Sequence, residues 1–241
     1  MIRRLFILWL QGWDQAPPLV RTCADTWIHH HPDWEVVLLD RYSLDRYLIL
    51  SHYLNEEQQT SMSRNHLANF IRMILLLQHG GVWVDATVFC CRPLDDWLEG
   101  YVKEGFFAFR GPGEGRLLAN WFLYSEKDGW MIKQWLQKSM EFWSDKVQCE
   151  TYFWHHGLFA SLCEESDEFR HQWQQVPTFE CNDTGPHRLR NWGLVRKPTT
   201  TLRKEIHERT SPLYKLDWRV PYGNGEDTVI NYLLSLRREV G

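Results

Sequence analysis

Apolar and polar positions along this chain alternate in two rhythms, one of strands and one of helices. Residues 4–10, with the run Leu5-Phe6-Ile7-Leu8-Trp9-Leu10, read as a short buried strand. Gln11 to Pro18 form a loop, and Pro18 suits the first turn of a helix, because its missing N–H has no partner to lose there. That helix runs to about His30 and stops before Pro32. Trp34-Glu35-Val36-Val37-Leu38-Leu39 is a second strand, β-branched and apolar, closing on Asp40. Strand, helix and strand in succession predict a βαβ unit with a right-handed crossover. A further helix is predicted over roughly Ser43 to Leu50.

The clearest helix spans Ser63 to His79. Leu67, Phe70, Ile71, Ile74 and Leu75 recur at helical spacing, and Gly80-Gly81 supplies the stop. Asn65, Asn69 and Arg72 share an arc of ~60° on the opposite side, a pattern that ordinarily marks a solvated face. Val82-Trp83-Val84 follows as a strand and ends in Asp85-Ala86-Thr87. Gly105 to Phe109 and Trp121 to Tyr124 read as strands, and helices are predicted over 129–144, 151–164 and 166–175. Residues 176–225 are rich in Pro, Gly, Thr and Arg and read as loops, with a last helix from about Glu226 to Arg238. No repeat or interdomain linker interrupts this order, so the chain reads as one α/β unit with a helical, loop-rich second half.

Composition narrows the function classes. The net charge of -4 disfavours a general nucleic-acid binder, which needs a basic surface. No apolar run approaches the ~18–20 residues of a membrane span. Arg3-Arg4 before an apolar run resembles a signal peptide, but the run is short and Gln11-Gly12-Trp13-Asp14 is no cleavage site. Cys23, Cys90, Cys91, Cys149, Cys163 and Cys181 form no Cys-x-x-Cys pair, which fits free thiols in a reducing compartment. Neither His29-His30-His31 nor His155-His156 has a Cys or carboxylate at zinc-site spacing. The 14 tryptophans serve core packing by default, although flat rings also suit sugars and bases.

Ligands of open α/β sheets bind beyond the carboxyl ends of the strands. Three strand tips here carry chemistry: Trp9-Leu10-Gln11, Asp40, and Asp85-Ala86-Thr87. A carboxylate in such a place holds a cation or a sugar hydroxyl, and Asp85 reads equally as a turn residue. Neither a Gly-x-Gly-x-x-Gly nor a Walker loop is present. Asn120, Glu126, Glu150 and Asp183 fall in segments able to line an acceptor side, with surface and cap roles as the plainer reading. Glu226-Asp227 at a helix start favours the helix dipole, and Asp227 is otherwise a third metal ligand.

The stretch Ala68-Asn69-Phe70-Ile71-Arg72, followed by Leu75-Leu76-Leu77-Gln78-His79-Gly80-Gly81-Val82-Trp83-Val84-Asp85-Ala86-Thr87, resembles the signature of the capsular polysaccharide synthesis proteins. These are similar to glycosyltransferase family 32 and, more distantly, to the glucosylating bacterial toxins. Leu8-Trp9-Leu10-Gln11-Gly12, Pro32-Asp33-Trp34-Glu35, Leu38-Leu39-Asp40 and Ser211-Pro212-Leu213-Tyr214-Lys215-Leu216 fit the same pattern in the same order. The resemblance implies a Rossmann-like GT-A fold over 1–241, with residues 1–100 binding a nucleotide sugar and 101–241 supplying the acceptor side and a terminal loop. It implies retaining transfer from a donor, usually a UDP-sugar, to a saccharide acceptor in capsular or surface polysaccharide. It further implies Mn²⁺ or Mg²⁺ and a cytoplasmic place peripheral to the inner membrane.

Carried across by position, Trp9 stacks on the base; Gln11 and Asp40, at their strand tips, are further donor-site candidates. Arg72 contacts phosphate or sugar, Trp83 lies beside the ribose, and Asp85 opens the family's Asp-x-Asp motif. Lys215 matches a lysine that neutralises the diphosphate, and Asp85 and Thr87, with Asp227 as the third candidate, form the expected metal set. Two positions depart from the pattern. Thr87 replaces the second aspartate, and Asn69 replaces a helix aspartate, losing a charge-assisted hydrogen bond. Those departures leave open a catalytically weak nucleotide-sugar-binding module within an assembly complex.

Overall fold

The computed structural model describes residues 1–182, 184–190, 193–220 and 227–240; Asp183 and Glu226 lie outside them. Its centre is a five-stranded mixed sheet in the order β2-β1-β3-β6-β5. β1 (Arg4–Leu8) runs parallel to β2 (Glu35–Leu39) and to β3 (Gly81–Asp85), and β6 (Leu118–Ser125) and β5 (Phe106–Arg110) add antiparallel. Leu5, Phe6, Ile7, Val82 and Val84 are fully buried, as expected of strands covered on both faces.

α1 (Pro18–His30) begins with Pro18 at its first turn and crosses from β1 to β2. α3 (Arg64–His79) starts where the Ser63 hydroxyl accepts from the His66 N–H at 3.2 Å, and ends at Gly80. Phe70, Ile71, Met73, Ile74, Leu75 and Leu76 are sealed in the core. Gly81 then lets β3 press against β1. Its φ is +100°, and a Cβ there would lie 2.4 Å from the Arg4 carbonyl oxygen, so only glycine fits. Four of the tryptophans, Trp27, Trp83, Trp135 and Trp143, are among the largest fully buried side chains, in line with core packing.

Several expectations need correction. The helix predicted over Ser43 to Leu50 is instead two 3₁₀ turns, Leu44–Arg46 and Leu50–His52, separated by an extended Ile49. α2 (Glu56–Ser61) was not foreseen, although Asn55 and Gln58 form a reciprocal capping box, with bonds of 2.9 and 3.0 Å. The arc of Asn65, Asn69 and Arg72 is not a solvated face: Asn65 is exposed, but Asn69 and Arg72 are 6% and 4% exposed. β6 covers that side of α3, and Asn120 bonds to both residues.

The second half carries α4 (Trp130–Trp143), α5 (Trp154–Glu165) and α6 (Asp167–Gln175), close to prediction. The supposed loop region holds two more elements, α7 (Thr200–His207) and β7 (Leu213–Lys215). β7 pairs antiparallel with β4 (Val88–Cys90), two residues beyond β3, and Val88 stands opposite Lys215. A three-residue strand whose partner lies over a hundred residues away leaves no local periodic signal. α8 (Val229–Val240) closes the chain against α1. Leu19 and Cys23 of α1, Tyr214 of β7 and Ile230 of α8 share a second apolar cluster, which ties this segment to the nucleus of the fold.

Candidate active site

Parallel pairing sets Leu8 beside Asp85, so β1 and β3 end together. Beyond those ends opens a cleft of about 750 Å³. Trp9 and Gln11 line it from the segment just after β1, Asn69 and Arg72 from α3, Trp83 and Asp85 from β3, Thr87 from the turn that follows, and Lys215 from β7. Seven of the eight donor-site candidates therefore converge, although they come from four separate parts of the chain.

Asp85 is the hub. Its Oδ1 accepts from Trp83 Nε1 at 3.0 Å and from the Arg72 guanidinium at 3.3 Å, and its Oδ2 accepts from Lys215 Nζ at 3.2 Å. Burial by itself would raise the carboxyl. Lys215 and Arg72, with the bonds from Trp83 and Lys215, outweigh burial and hold it below the ordinary carboxylate value. Arg72 also donates to the Asn120 carbonyl at 2.6 Å and to the Ala68 carbonyl at 3.2 Å, and lies over the Trp83 ring at 5.1 Å. Trp83 is 1% exposed, so it orients Asp85 and Arg72 from behind instead of offering a broad face to ligand.

The eighth candidate is elsewhere. Asp40 spends its carboxylate on a turn, accepting from the Tyr42 and Ser43 N–H groups at 3.0 and 2.9 Å and from the Ser43 hydroxyl at 2.9 Å. It is not among the cleft residues. Asp227 pairs with Arg203 at 2.8 Å and Lys197 at 3.6 Å, also away from the cleft. Glu126 is exposed beyond the last residue of β6; Ser125 pairs with Gly81 at the far end of β3 from Asp85. Glu150 is exposed and also absent from the lining, whereas Asn120 is part of it.

The expected metal set Asp85, Thr87 and Asp227 is therefore not assembled. The Lys215 ammonium sits 2.6 Å from Thr87 Oγ1 and 3.2 Å from Asp85 Oδ2, engaging the two oxygens that a cation there would need. Among the described residues no three His, Cys, Asp or Glu side chains gather in a metal-binding group. With Lys215 in this position, Asp85 Oδ2 and Thr87 Oγ1 are not free to take a divalent ion.

Several lining residues escaped the sequence reading. Arg64, Arg116, Arg190 and Arg219 join Arg72 and Lys215, so among the described lining residues six cations accompany two carboxylates, Asp85 and Asp217. Asp217, Trp218 and Arg219 directly follow the Lys215-Leu216 pattern, and extending that motif by three residues would have found them. Trp218 meets Trp9 edge-on at 5.4 Å. Trp9 Nε1 and His156 Nδ1 are buried without a hydrogen-bond partner among the described residues, and both residues line the cleft.

Burial, Arg72 and Arg116 pull His156 down to about 3, and burial, Arg190, Lys215 and Arg116 pull His187 down to about 4. Both rings are therefore neutral in the fold and gain protons on unfolding below the free histidine value near 6.5. Their contribution to stability is complete above pH 6.5 and falls as the solution is acidified. For His156 alone the loss by pH 5 is about 2 kcal/mol. Thermal melting from pH 7 to pH 5 is expected to show a falling midpoint; a flat midpoint would contradict these neutral rings.

The fold is the GT-A-like one of solved glycosyltransferases. The solved glycosyltransferase GlyE of Streptococcus pneumoniae TIGR4 shares the fold, with a TM-score of 0.54 and 13% identity over 99% of this chain and 60% of that one. The chain belongs to the family described as capsular polysaccharide synthesis protein, which matches residues 1–233. O-glycosyltransferase braB of Annulohypoxylon truncatum is 25% identical over 187 residues, 69% of this chain and 44% of that protein. O-glycosyltransferase PaGT of Phomopsis amygdali is 23% identical over 165 residues, 61% of this chain and 40% of that protein. The chain thus spans less than half the length of these curated relatives. Among the described residues no helix is long and apolar enough to cross a membrane.

Proposed function

We propose that this chain transfers a sugar from a nucleotide donor, a UDP-sugar, to a hydroxyl of a saccharide acceptor, with retention at the anomeric carbon, in capsular or surface polysaccharide synthesis. One observation carries the reading. The Asp85 carboxylate, fixed by Trp83, Arg72 and Lys215, stands in a cleft where, among the described lining residues, cations outnumber carboxylates six to two, within a chain of net charge -4. Such a concentration of positive charge favours an anionic ligand, and a diphosphate beside the Trp9–Trp218 pair suits it. The names of two relatives, both O-glycosyltransferases, support a hydroxyl acceptor. Six free cysteines support a reducing compartment, and attachment to a membrane-bound polymerase rests on the family resemblance alone.

In this reading the bond from the sugar C1 to the β-phosphate oxygen breaks, and its electron pair stays on the diphosphate. The acceptor oxygen bonds to C1 from the same face, and its proton passes to the departing phosphate oxygen. Negative charge grows on that oxygen in the transition state, where Lys215 and Arg72 stabilise it. Same-face attack is preferred to a covalent intermediate because Asp85 and Asp217, the carboxylates among the described lining residues, are both held by cations.

Incubation with a panel of nucleotide sugars, with and without Mn²⁺, tests the reading; consumption of a UDP-sugar is expected. Failure of every donor to bind or hydrolyse would overturn it. A second reading, a nucleotide-sugar-binding module with little catalysis, draws support from Asn69, whose Oδ1 is taken by Asn120 Nδ2 at 3.1 Å. UDP binding without hydrolysis of any donor would select that module.

A further inference from the structure

Two oxygen-bearing side chains flank Ala86 at the tip of β3, and one ammonium touches both. Lys215 Nζ donates to Thr87 Oγ1 at 2.6 Å and to Asp85 Oδ2 at 3.2 Å. We propose that this ammonium serves as the counter-ion of the donor's diphosphate in place of a divalent metal, so that the nucleoside diphosphate binds independently of divalent cations. The proposal rests on the nucleotide-donor reading above.

Three features support it. First, an ion within reach of Asp85 Oδ2 and Thr87 Oγ1 meets the Lys215 ammonium at close range, positive against positive. The lysine is not free to leave with its strand. Lys215 is paired with Val88, and its own N–H donates to the Pro186 carbonyl at 2.8 Å.

Second, both carboxylates among the described cleft residues are already engaged by donors. A hard divalent cation takes about six oxygen ligands. Asp85 Oδ1 is already shared by Trp83 and Arg72, and Arg219 grips Asp217 at both oxygens, 2.9 Å each. Third, the local charge already suits a diphosphate. Lys215 and Arg72 exceed Asp85 by one positive charge, and Arg116 and Arg190 line the same cleft. Charge-assisted bonds from such groups to phosphate are roughly twice as strong as neutral ones. They act at fixed positions, with no bound ion to recruit.

Titration calorimetry of UDP into the full chain tests the proposal, run once in excess EDTA and once in Mn²⁺, with the manganese spin-resonance signal as a second readout. UDP is expected to bind in EDTA, with Mn²⁺ changing the Kd by less than about threefold. The Mn²⁺ signal should stay that of the free ion. Lys215→Ala should lose at least about tenfold in EDTA, and Lys215→Arg should keep metal-independent binding. Melting curves establish that both variants fold; should Lys215→Ala unfold, wild type and Lys215→Arg decide the matter alone. UDP binding that requires Mn²⁺, or tightens more than about tenfold with it, overturns this inference and leaves the transferase reading standing. Absence of UDP binding in both conditions overturns the two together.

Discussion

Asp85→Asn is expected to lower sugar transfer by about three orders of magnitude while the chain stays folded. The carboxamide has the same size and still offers an oxygen to Trp83 Nε1, so the tip of β3 keeps its shape. What disappears is the charge that fixes the Lys215 ammonium and the Arg72 guanidinium at their angles. Groups that meet developing charge act through fixed placement, and loss of one such group costs about a hundred to a thousandfold in kcat. Nucleotide affinity should hold or rise, because a negative charge is removed beside an anionic ligand. The stability cost stays near 1–2 kcal/mol, since Arg72 keeps the Ala68 and Asn120 carbonyls and the Trp83 ring. Donor consumption, UDP titration and urea unfolding on one preparation separate these effects. Transfer within about tenfold of wild type would place the chemistry elsewhere.

Arg72→Met should be the most destabilising change at the site. The guanidinium is 4% exposed and joins α3, β3 and β6 through the Ala68 carbonyl, Asp85 and the Asn120 carbonyl. Removing one partner of a buried ion pair typically costs 3–5 kcal/mol. Asp85 keeps Lys215 and Trp83, which points to the low end, about 3 kcal/mol. Arg72→Lys should recover only part of this, because an ammonium is a point charge and does not reproduce the planar fork that meets three acceptors. Urea unfolding of the three proteins gives the order. A loss below about 1 kcal/mol for Arg72→Met would mean that the pair is solvated.

Much of the fold is legible in the chain because its elements are long or strongly periodic. α1 announces itself with Pro18 and stops at His31-Pro32, and α3 carries an apolar stripe between Ser63 and Gly80. The site is legible where residues sit in one local signature, as Asn69, Arg72, Trp83 and Asp85 do. It is not legible where geometry is made by distant partners. β4 and β7 are three residues each and exist by pairing with one another. The burial of Asn69 and Arg72 depends on β6, which no pattern in α3 reveals. Asp40 misled because a carboxylate at a strand tip serves a turn as readily as a ligand, and only the Tyr42 and Ser43 N–H groups decide which. Asp227 misled for a similar reason, its fate set by Arg203 on another helix.

Tyr214 is 1% exposed and anchored among the side chains of α1 and α8, one residue before Lys215. Successive residues of a strand point to opposite sides, so the aromatic ring is a keel for the ammonium: while it stays seated, its neighbour must face the cleft. A slip by a single position would drive a charge into oil and a phenol toward the ligand. The facing of the ammonium is thereby policed by grease on the reverse side of the ribbon.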